Sequence, residues 1–235
     1  MKALILAAGK GTRLRPLTDN RPKVLVEVNG KPLIEHVIDG IRSLGIEKIT
    51  IIKGYMGSML EERLSKYEGL TFLEQKEQLG TAHAIGMSSF DSPFLTMSGD
   101  VLTHTENIEK VVSRFEKGGW KAVIGSFEVE NPEEFGVLEV EGDRVRDIAE
   151  KPDNPPSNLI NTGTYVFPPE IYDYIDRTGL SERGEYEITD SIEMMLEDGL
   201  SVAHAKFDNY WIDVGRHEDL ERARNLVNKN GNEDK

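Results

Sequence analysis

Residues 3 to 13 read ALILAAGKGTR, a short apolar run followed by a glycine-rich turn. A continuous apolar run of this length is typical of a strand that is covered on both faces, as in a parallel sheet. The small residues at positions 7, 8, 9 and 11 allow backbone amides to approach an oxyanion closely. Since open α/β sheets bind ligands beyond the carboxyl ends of their strands, we expect a phosphate-binding loop at this turn.

Two common phosphate-binding loops do not match this turn. A P-loop requires G-x-x-x-x-G-K-[ST], whereas Gly11 is followed by Thr12-Arg13. A dinucleotide-binding fingerprint requires a third glycine where Leu14 stands. The turn is therefore a different phosphate loop with Arg13 as a fixed cation, or a simple tight turn without a ligand.

Strands and helices alternate along the first 120 residues and strands predominate after them, which indicates one α/β domain with a mixed, mainly parallel sheet flanked by helices. The predicted strands are 3–6, 49–52, 71–73, 94–97, 122–129, 136–140, 145–149, 161–167, 202–207 and 211–214, and the predicted helices are 31–44, 59–67, 81–90, 187–196 and 218–227. The domain is expected to span residues 1–228, with a nucleotide-binding half over 1–120 and a second half over 121–228 that completes the pocket. The polar tail 229–235 is predicted to be disordered.

Composition excludes several classes of protein. The chain has no Cys, which excludes disulfides, thiolate nucleophiles and cysteine-ligated metals. It has no apolar run of about 18 residues and no secretory signal, so neither a membrane span nor a membrane partner is expected and the location is predicted to be cytoplasmic. The net charge of −14 argues against a nucleic-acid partner.

Five basic residues nevertheless cluster early in this acidic chain, and such a local cluster suits a small polyanion such as a nucleoside triphosphate. They are Lys10, Arg13, Arg15, Arg21 and Lys23, opposed only by Asp19.

The longer pattern around this cluster resembles the sugar nucleotidyltransferases, also called NDP-sugar pyrophosphorylases. It runs Leu6-Ala-Ala-Gly-x-Gly-Thr-Arg-Leu-x-Pro-Leu-Thr18 and continues with Arg21-Pro-Lys23. Further matches follow in the family's order: Glu74-Gln75, Leu79-Gly-Thr-Ala82, Ser98-Gly-Asp100, Glu150-Lys-Pro152, Asn161-Thr-Gly163 and Trp211-x-Asp213-x-Gly215. The segment Gly184-Glu-Tyr-Glu-Ile-Thr-Asp190 is most similar to the glucose-1-phosphate thymidylyltransferases and the archaeal sugar-1-phosphate nucleotidyltransferases.

The resemblance covers residues 1 to 228 and implies a Rossmann-like nucleotide-diphospho-sugar transferase fold of the GT-A-like type. It implies Mg²⁺-dependent transfer of a nucleotidyl group from a nucleoside triphosphate, preferably dTTP or UTP, to a hexose 1-phosphate. The products are an NDP-sugar and pyrophosphate. Many relatives continue into a left-handed β-helix, and the end of this sequence at residue 235 leads us to expect no such domain.

Roles for individual residues also follow from the resemblance. It implies nucleotide contacts from Leu6, Ala7, Ala8, Gly9, Gly11, Thr12, Arg13, Lys23, Gln75, Gly80 and Thr81, with Gln75 on the pyrimidine edge. It implies sugar-phosphate contacts from Gly136, Glu150, Lys151, Asn161 and Thr162. Asp100 and Asp213 match the Mg²⁺ ligands, and Arg13, Lys23 and Asp100 are the catalytic candidates.

The expected chemistry explains this set of residue types. A sugar 1-phosphate is largely dianionic at pH 7, so its phosphate needs no general base to act as a nucleophile. The obstacle is repulsion between two polyanions, which cations and a carboxylate-bound metal offset while the reactants are held in line. Mg²⁺ prefers oxygen ligands and commonly binds one or two carboxylates together with substrate phosphates.

Several alternatives remain open at this level. The base and sugar could instead be those of a mannose-1-phosphate guanylyltransferase or a cytidylyltransferase, and the chain could be a catalytically silent sensor subunit. Asp100 could cap a following helix and Asp213 could be a turn residue. We interpret Trp211, Tyr165 and Phe167 as packing residues and the five His residues as structural or exposed. The apolar runs are compatible with a homo-oligomer.

Overall fold

The computed structural model describes residues 1 to 230, with side chains up to residue 226. Numbered in chain order, the strands are β1 Lys2–Ala7, β2 Glu27–Val28, β3 Lys31–Pro32, β4 Ile49–Lys53, β5 Leu70–Glu74, β6 Phe94–Ser98, β7 Val101–Thr103, β8 Ala122–Glu128, β9 Gly136–Glu141, β10 Arg144–Glu150, β11 Leu159–Phe167, β12 Val202–Lys206 and β13 Trp211–Asp213. The helices are α1 Leu33–Ser43, α2 Gly57–Leu64, α3 Thr81–Gly86, α4 Thr105–Glu116, α5 Ile171–Arg177, α6 Ile188–Glu197 and α7 His217–Asn230.

Within the described residues, nine strands form one sheet in the order β5-β4-β1-β6-β11-β8-β12-β10-β9. The pairs β5–β4, β4–β1, β1–β6 and β12–β8 are parallel. The pairs β6–β11, β11–β8, β12–β10 and β10–β9 are antiparallel. Strand β11 also pairs with β9 in the antiparallel direction, so five pairs are antiparallel and four are parallel. The predicted mixed sheet is thus present, but it is not mainly parallel; β9 and β10, for example, form a hairpin that needs no crossover helix.

The apolar run of β1 explains its central position. Ala3 and Ile5 face one side of the sheet and Leu4 faces the other, and all three are fully buried. On the first side β1 packs against α1, α2 and α4, and on the second side α3, α5 and α6 cover the sheet. Both faces of β1 are therefore removed from water, as the continuous apolar run predicts.

The sequence prediction omits four elements that the structure contains: the β2–β3 hairpin, the short strand β7, and helices α4 and α5. The two hairpin strands have two residues each and β7 has three, too few for a periodic signal. Helix α5 has seven residues and follows Pro168-Pro169. Helix α4 buries Ile108 and Val111 at helical spacing, a pattern that is visible in the sequence.

Several helix boundaries also differ from the prediction; α1 begins at Leu33 instead of residue 31, and α2 spans Gly57–Leu64 instead of residues 59–67. Helix α3 ends at Gly86 instead of residue 90, and Ser88 Oγ donates to the Ile85 carbonyl at 2.8 Å, a local bond that competes with helix continuation. Helix α7 continues to Asn230, so the first two residues of the predicted disordered tail are helical. Residues 231 to 235 of that tail lie outside the described residues. Among the helices that the structure describes, none has both the length and the apolar character needed to cross a bilayer.

A buried carboxylate joins α1 to α2. Glu35 is only 4% exposed and accepts hydrogen bonds from Arg63 Nε at 2.6 Å, Lys66 Nζ at 3.0 Å and the Tyr67 hydroxyl at 3.0 Å. Burial alone would raise the pKa of Glu35, but the bonds from Lys66, Arg63 and Tyr67 outweigh it and hold the pKa below its ordinary value. The charged form of Glu35 therefore stabilises the packing of α2 and the segment after it against α1.

Replacement of Glu35 by Ala should lower the free energy of unfolding by about 2 kcal/mol at pH 7, because the hydrogen bonds to a charged group are lost. The pKa of Glu35 is lower in the folded state than in the unfolded state. This contribution to stability is therefore complete when the pH is above the unfolded-state pKa, and it is lost as the pH falls through the folded-state pKa. Urea unfolding at pH 7 and pH 3 measures both effects. Glu62→Ala, on the exposed face of α2, is the control and should change little; equal losses in the two variants would contradict this role for Glu35.

Candidate active site

A cavity of about 290 Å³ opens where the carboxyl ends of β1 and β6 approach the C-terminal half of the sheet. Nine of the residues singled out in the sequence line it: Arg13, Thr81, Asp100, Gly136, Glu150, Lys151, Asn161, Thr162 and Asp213. The other nine do not line it. Seven of them belong to the end of β1 and the loop that follows it: Leu6, Ala7, Ala8, Gly9, Gly11, Thr12 and Lys23. The remaining two, Gln75 and Gly80, precede Thr81 in the chain.

The glycine-rich loop leaves its amide groups free. In the part of the chain that the structure describes, the amide nitrogens of residues 9 to 13 donate to no protein acceptor. Gly11 has φ 63°, and a Cβ there would lie 2.6 Å from Lys23 Cβ, so both the conformation and the space require glycine. The Thr18 hydroxyl donates to the Gly11 carbonyl at 2.8 Å and fixes the turn. Five free amides at a strand end suit an anion.

Strand β1 and the start of the loop are anchored by backbone contacts rather than exposed to the cavity. The Leu6 carbonyl accepts from Gly99 N at 2.8 Å, which joins β1 to the segment that carries Asp100. Ala7 and Ala8 are buried, and a Cβ on Gly54 would lie 2.6 Å from the Ala8 carbonyl oxygen. The missing side chain of Gly54 therefore permits this close packing against Ala8.

Three charged residues meet at the centre of the site. Lys23 is 8% exposed, and its Nζ lies 2.6 Å from Asp100 Oδ2 and 3.6 Å from Asp213 Oδ1. The backbone holds the two carboxylates together, since β7 pairs with β13 and Val214 N donates to the Asp100 carbonyl at 3.1 Å. Asp100 is followed by strand β7, so it caps no helix; His104 takes that role for α4.

The charge balance of these three residues is negative. Burial, followed by the charge of Asp100, raises the pKa of Asp213, while Lys23 and Arg13 oppose this rise. Burial would lower the pKa of Lys23, but Asp100 and Asp213 outweigh it and raise that pKa. Two carboxylates share one buried ammonium, so the oxygen donors and the excess negative charge fit a divalent cation such as Mg²⁺. Among the described residues no third His, Asp or Glu joins them as a cluster of ligands, so a bound ion would take its remaining ligands from substrate or water.

Arg13 contributes a second cation to the same cavity. It forms no ion pair within the described residues, and its Nη2 lies 3.1 Å from where a Cβ on Gly215 would be. Because Gly215, the last residue of the Trp211-to-Gly215 motif, has no side chain, it leaves room for the Arg13 guanidinium. An unpaired guanidinium beside free amides is available to a phosphate.

The opposite wall of the cavity is polar and compact. A Cβ on Gly136 would lie 3.2 Å from Glu150 Oε2 and 3.4 Å from Asn161 Nδ2, so glycine keeps this wall open. Asn161 is oriented at both ends, since Nδ2 donates to the Tyr165 hydroxyl at 2.6 Å and Oδ1 accepts from Gly163 N at 2.9 Å. This wall offers carboxylate and amide groups for hydrogen bonds to hydroxyl groups.

Thr162 lines the cavity although it is almost fully buried. Its hydroxyl is buried and has no partner within the described residues, and a Cβ on Gly125 would lie 2.5 Å from it. The Thr162 carbonyl accepts from the Trp211 indole at 3.1 Å. Trp211 also packs against Phe127 and Phe135, so the predicted packing role of this tryptophan is confirmed although its ring borders the cavity.

Lys151 has an uncommon backbone conformation. Its φ is 43°, a left-handed value that a non-glycine residue rarely adopts, and its amide donates to the Phe135 carbonyl at 3.0 Å. The Lys151 ammonium is 3.5 Å from Glu150 Oε1 at the cavity wall. Strained residues of this kind concentrate at ligand sites, and Lys151 lines the cavity.

Gln75 follows β5 and is 3% exposed. Its Nε2 lies 3.3 Å from the Gly80 carbonyl and 2.8 Å from His83 Nδ1. Gly80 has φ 108°, and a Cβ there would lie 2.4 Å from the Tyr186 carbonyl oxygen. Tyr186 N donates to Leu79 O and Tyr186 O accepts from Ala82 N, so the 184–190 segment is bonded directly to the loop beside Gln75.

A family model for nucleotidyl transferases matches residues 2 to 230. The chain belongs to the nucleotidyl transferase family. Two family members from Haloferax volcanii are each 38% identical to it: the UTP–glucose-1-phosphate uridylyltransferase AglF, with 95% of both chains covered, and the low-salt glycan biosynthesis nucleotidyltransferase Agl11, with 97% of this chain covered. A solved Bacillus anthracis structure assigned as a glucose-1-phosphate thymidylyltransferase is 30% identical, with a TM-score of 0.86 over 97% of this chain and 95% of that one. The chain spans 66% of Agl11 and 55% of a bifunctional archaeal relative.

The expected family and fold class are therefore confirmed. The motifs of the first and second halves converge on one cavity, as family membership implies. The role of each residue stays a prediction, because shape and similarity do not test it.

Two residues in this family site were not singled out in the sequence. Arg183 Nη1 lies 3.1 Å from Glu150 Oε1 and 3.0 Å from Glu187 Oε1. Glu187 is 3% exposed and lines the cavity; burial and then the charge of Glu150 raise its pKa to about 6, although Arg183 opposes this. The sequence signal for Glu187 is the 184–190 segment, which by itself indicates only the branch of the family.

The excess negative charge at Lys23 predicts opposite effects for two similar substitutions. Asp213→Asn should raise the melting temperature of the ligand-free, metal-free protein by roughly 2 °C or more. The substitution removes a partly buried negative charge that is poorly compensated, since its nearest cation, the Lys23 ammonium, is 3.6 Å away. Asp100→Asn should lower it, because the buried ammonium loses its closest partner. Calorimetry at pH 7.5 in EDTA measures both values, and a lower melting temperature for Asp213→Asn would contradict this charge balance.

Proposed function

We propose that the protein transfers a nucleotidyl group from UTP or dTTP to a hexose 1-phosphate and releases pyrophosphate. The observation that carries this proposal is one cavity lined by the unpaired cation Arg13, by the carboxylates of Asp100 and Asp213, and by polar groups that suit a sugar. The relation to AglF, named for UTP and glucose 1-phosphate, supports the same class of substrates.

The triphosphate would bind the first loop. The free amides of residues 9 to 13 and the Arg13 guanidinium would hold the β- and γ-phosphates, which become the leaving pyrophosphate. Lys23, at the base of the loop, would lie close enough to offset charge near the α-phosphate once a divalent cation shares the two carboxylates. The cost of holding two polyanions together is thereby lowered before reaction.

The sugar 1-phosphate would bind the opposite wall. Glu150 and Asn161 would accept and donate hydrogen bonds to sugar hydroxyls, and Gly136 and the backbone of Thr162 would leave room for the ring. The Lys151 ammonium would hold the phosphate. An oxygen of this phosphate attacks the α-phosphorus in line; one phosphorus–oxygen bond forms, the bond to the β-phosphate oxygen breaks, and no proton is transferred.

Mg²⁺ would be held by Asp100 and Asp213, and it would supply Lewis-acid stabilisation of the phosphate oxygens. The fit rests on the two oxygen donors and their excess negative charge. This chain's own contribution is to keep the two carboxylates in fixed positions through the β7–β13 pair and the Val214-to-Asp100 backbone bond.

Pyrophosphate release measures the proposed activity directly. UTP, dTTP, CTP, GTP and ATP would each be tested with glucose, galactose, mannose and N-acetylglucosamine 1-phosphates. We expect the highest kcat/KM with UTP or dTTP, loss of activity in EDTA and recovery with Mg²⁺. Turnover with GTP or CTP but not with UTP or dTTP would overturn the base assignment. Binding of nucleotide without turnover of any pair would instead indicate a sensor subunit.

Arg13→Ala should lower kcat by about 10²–10³, the scale for removal of one preorganised group that stabilises developing charge. Arg15→Ala is the matched control, because Arg15 is two residues away but pairs with Asp19 on the surface and should affect kcat little. Steady-state kinetics with saturating substrates measures both variants. A loss of less than tenfold for Arg13→Ala would exclude the proposed role of the loop cation.

A further inference from the structure

We infer that His83 is a positioning residue that determines base specificity, because it orients the side-chain amide of Gln75. In this orientation the amide presents its carbonyl oxygen to the base. The site then selects a base that has a ring N–H at that edge. The inference rests on the proposed function, since it assumes that Gln75 contacts the base. It concerns a residue that the sequence indicated to be merely structural or exposed.

The orientation of the amide follows from its two partners. Gln75 Nε2 is 3.3 Å from the Gly80 carbonyl, which can only accept a hydrogen bond. The Gln75 atom that faces it must therefore be the NH₂ group, because the opposite orientation would place two oxygens against each other. His83 Nδ1, at 2.8 Å, is the closer partner of the same NH₂ group. It must accept as well, so the ring carries its proton on Nε2.

His83 is held in place to serve as this acceptor. It lies on α3, and its ring stacks on Tyr186 with centroids 6.5 Å apart and planes inclined by 30°. The backbone of Tyr186 is itself bonded to Ala82 N at 2.9 Å, one residue before His83. The imidazole position is therefore set by packing and by a backbone bond, independently of Gln75.

The carbonyl oxygen of Gln75 remains available. It accepts no hydrogen bond within the described residues. Among those residues, the side-chain polar atoms that are both buried and without a partner belong to Arg42, Thr96, Thr162 and Thr164. Since Gln75 is not among them, its Oε1 reaches accessible space even though the residue as a whole is 3% exposed. One acceptor with a fixed direction thus lies beside the loop of Gly80 and Thr81, and Thr81 lines the cavity.

A fixed acceptor discriminates between bases. Uracil and thymine have a ring N3–H at their Watson–Crick edge, which can donate to Oε1, whereas the same ring position of cytosine is an acceptor and would repel it. If the amide could rotate by half a turn, its NH₂ group would suit cytosine. Because His83 and Gly80 oppose that rotation, the arrangement favours a uracil or thymine nucleotide over a cytosine nucleotide.

The test compares kcat/KM for UTP with kcat/KM for CTP in wild type and variants. His83→Phe keeps a ring on Tyr186 but removes the acceptor, and should lower the UTP-to-CTP ratio about five- to tenfold, the factor associated with one neutral hydrogen bond. His83→Gln can accept through its own carbonyl oxygen and should restore most of the ratio. His104→Phe, the same substitution at the start of α4 outside the cavity, should leave the ratio unchanged.

Gln75→Ala separates the inference from the function on which it rests. If Gln75→Ala lowers the ratio while His83→Phe keeps it within twofold of wild type, base contact by Gln75 stands and the role of His83 is wrong. If Gln75→Ala leaves the ratio unchanged, Gln75 does not contact the base and the inference fails with it. If no pyrimidine triphosphate is turned over by wild type, the proposed function itself is wrong.

A measurement on the unaltered protein covers the case in which His83→Phe does not fold. Long-range ¹H–¹⁵N spectra of the imidazole groups distinguish the two neutral tautomers. The inference requires an unprotonated Nδ1 and a protonated Nε2 on His83 in the neutral ring. Observation of the Nδ1–H tautomer would overturn it, because that nitrogen could no longer accept from Gln75.

Discussion

The ammonium of Lys23 between the carboxylates of Asp100 and Asp213 is the interaction on which the site depends. The three residues come from different parts of the chain: Lys23 from the loop after β1, Asp100 from the turn after β6, and Asp213 from the end of β13, which pairs with β7. The cluster therefore links residues from both halves of the chain. It is also incompletely neutralised, and this excess negative charge is the basis for the divalent-cation site that we propose.

The two sides of this central cluster offer different chemical groups to the cavity. The first loop contributes unpaired donors and a guanidinium, which suit phosphates. The second half contributes carboxylate and amide groups held by their own hydrogen bonds, such as those of Asn161, which suit hydroxyls. A site with donors at one end and mixed polar groups at the other is adapted to join two different reactants.

Much of the fold could be predicted from the sequence, because β1 and the alternating elements of the first half bury continuous or periodic apolar sets. The short strand β7 could not, since three residues carry no period, although it is β7 that places Asp100 beside Asp213. The convergence of the motifs on one cavity was expected from the family resemblance. The contribution of Arg183, Glu187 and His83 was not, because each depends on a neighbour that is distant in sequence or on the direction of one hydrogen bond.

The bonds between Tyr186 and the Leu79-to-Ala82 loop have a thermodynamic consequence. One of the connected segments carries Gly80 and Thr81, which the proposed function places at the base, and the other carries Glu187, which lines the cavity. If binding of one reactant orders either segment, it reduces the conformational entropy that the other reactant must remove. By linkage, each reactant would then raise the affinity for the other by the same factor, and the two substrates of the proposed reaction would bind cooperatively.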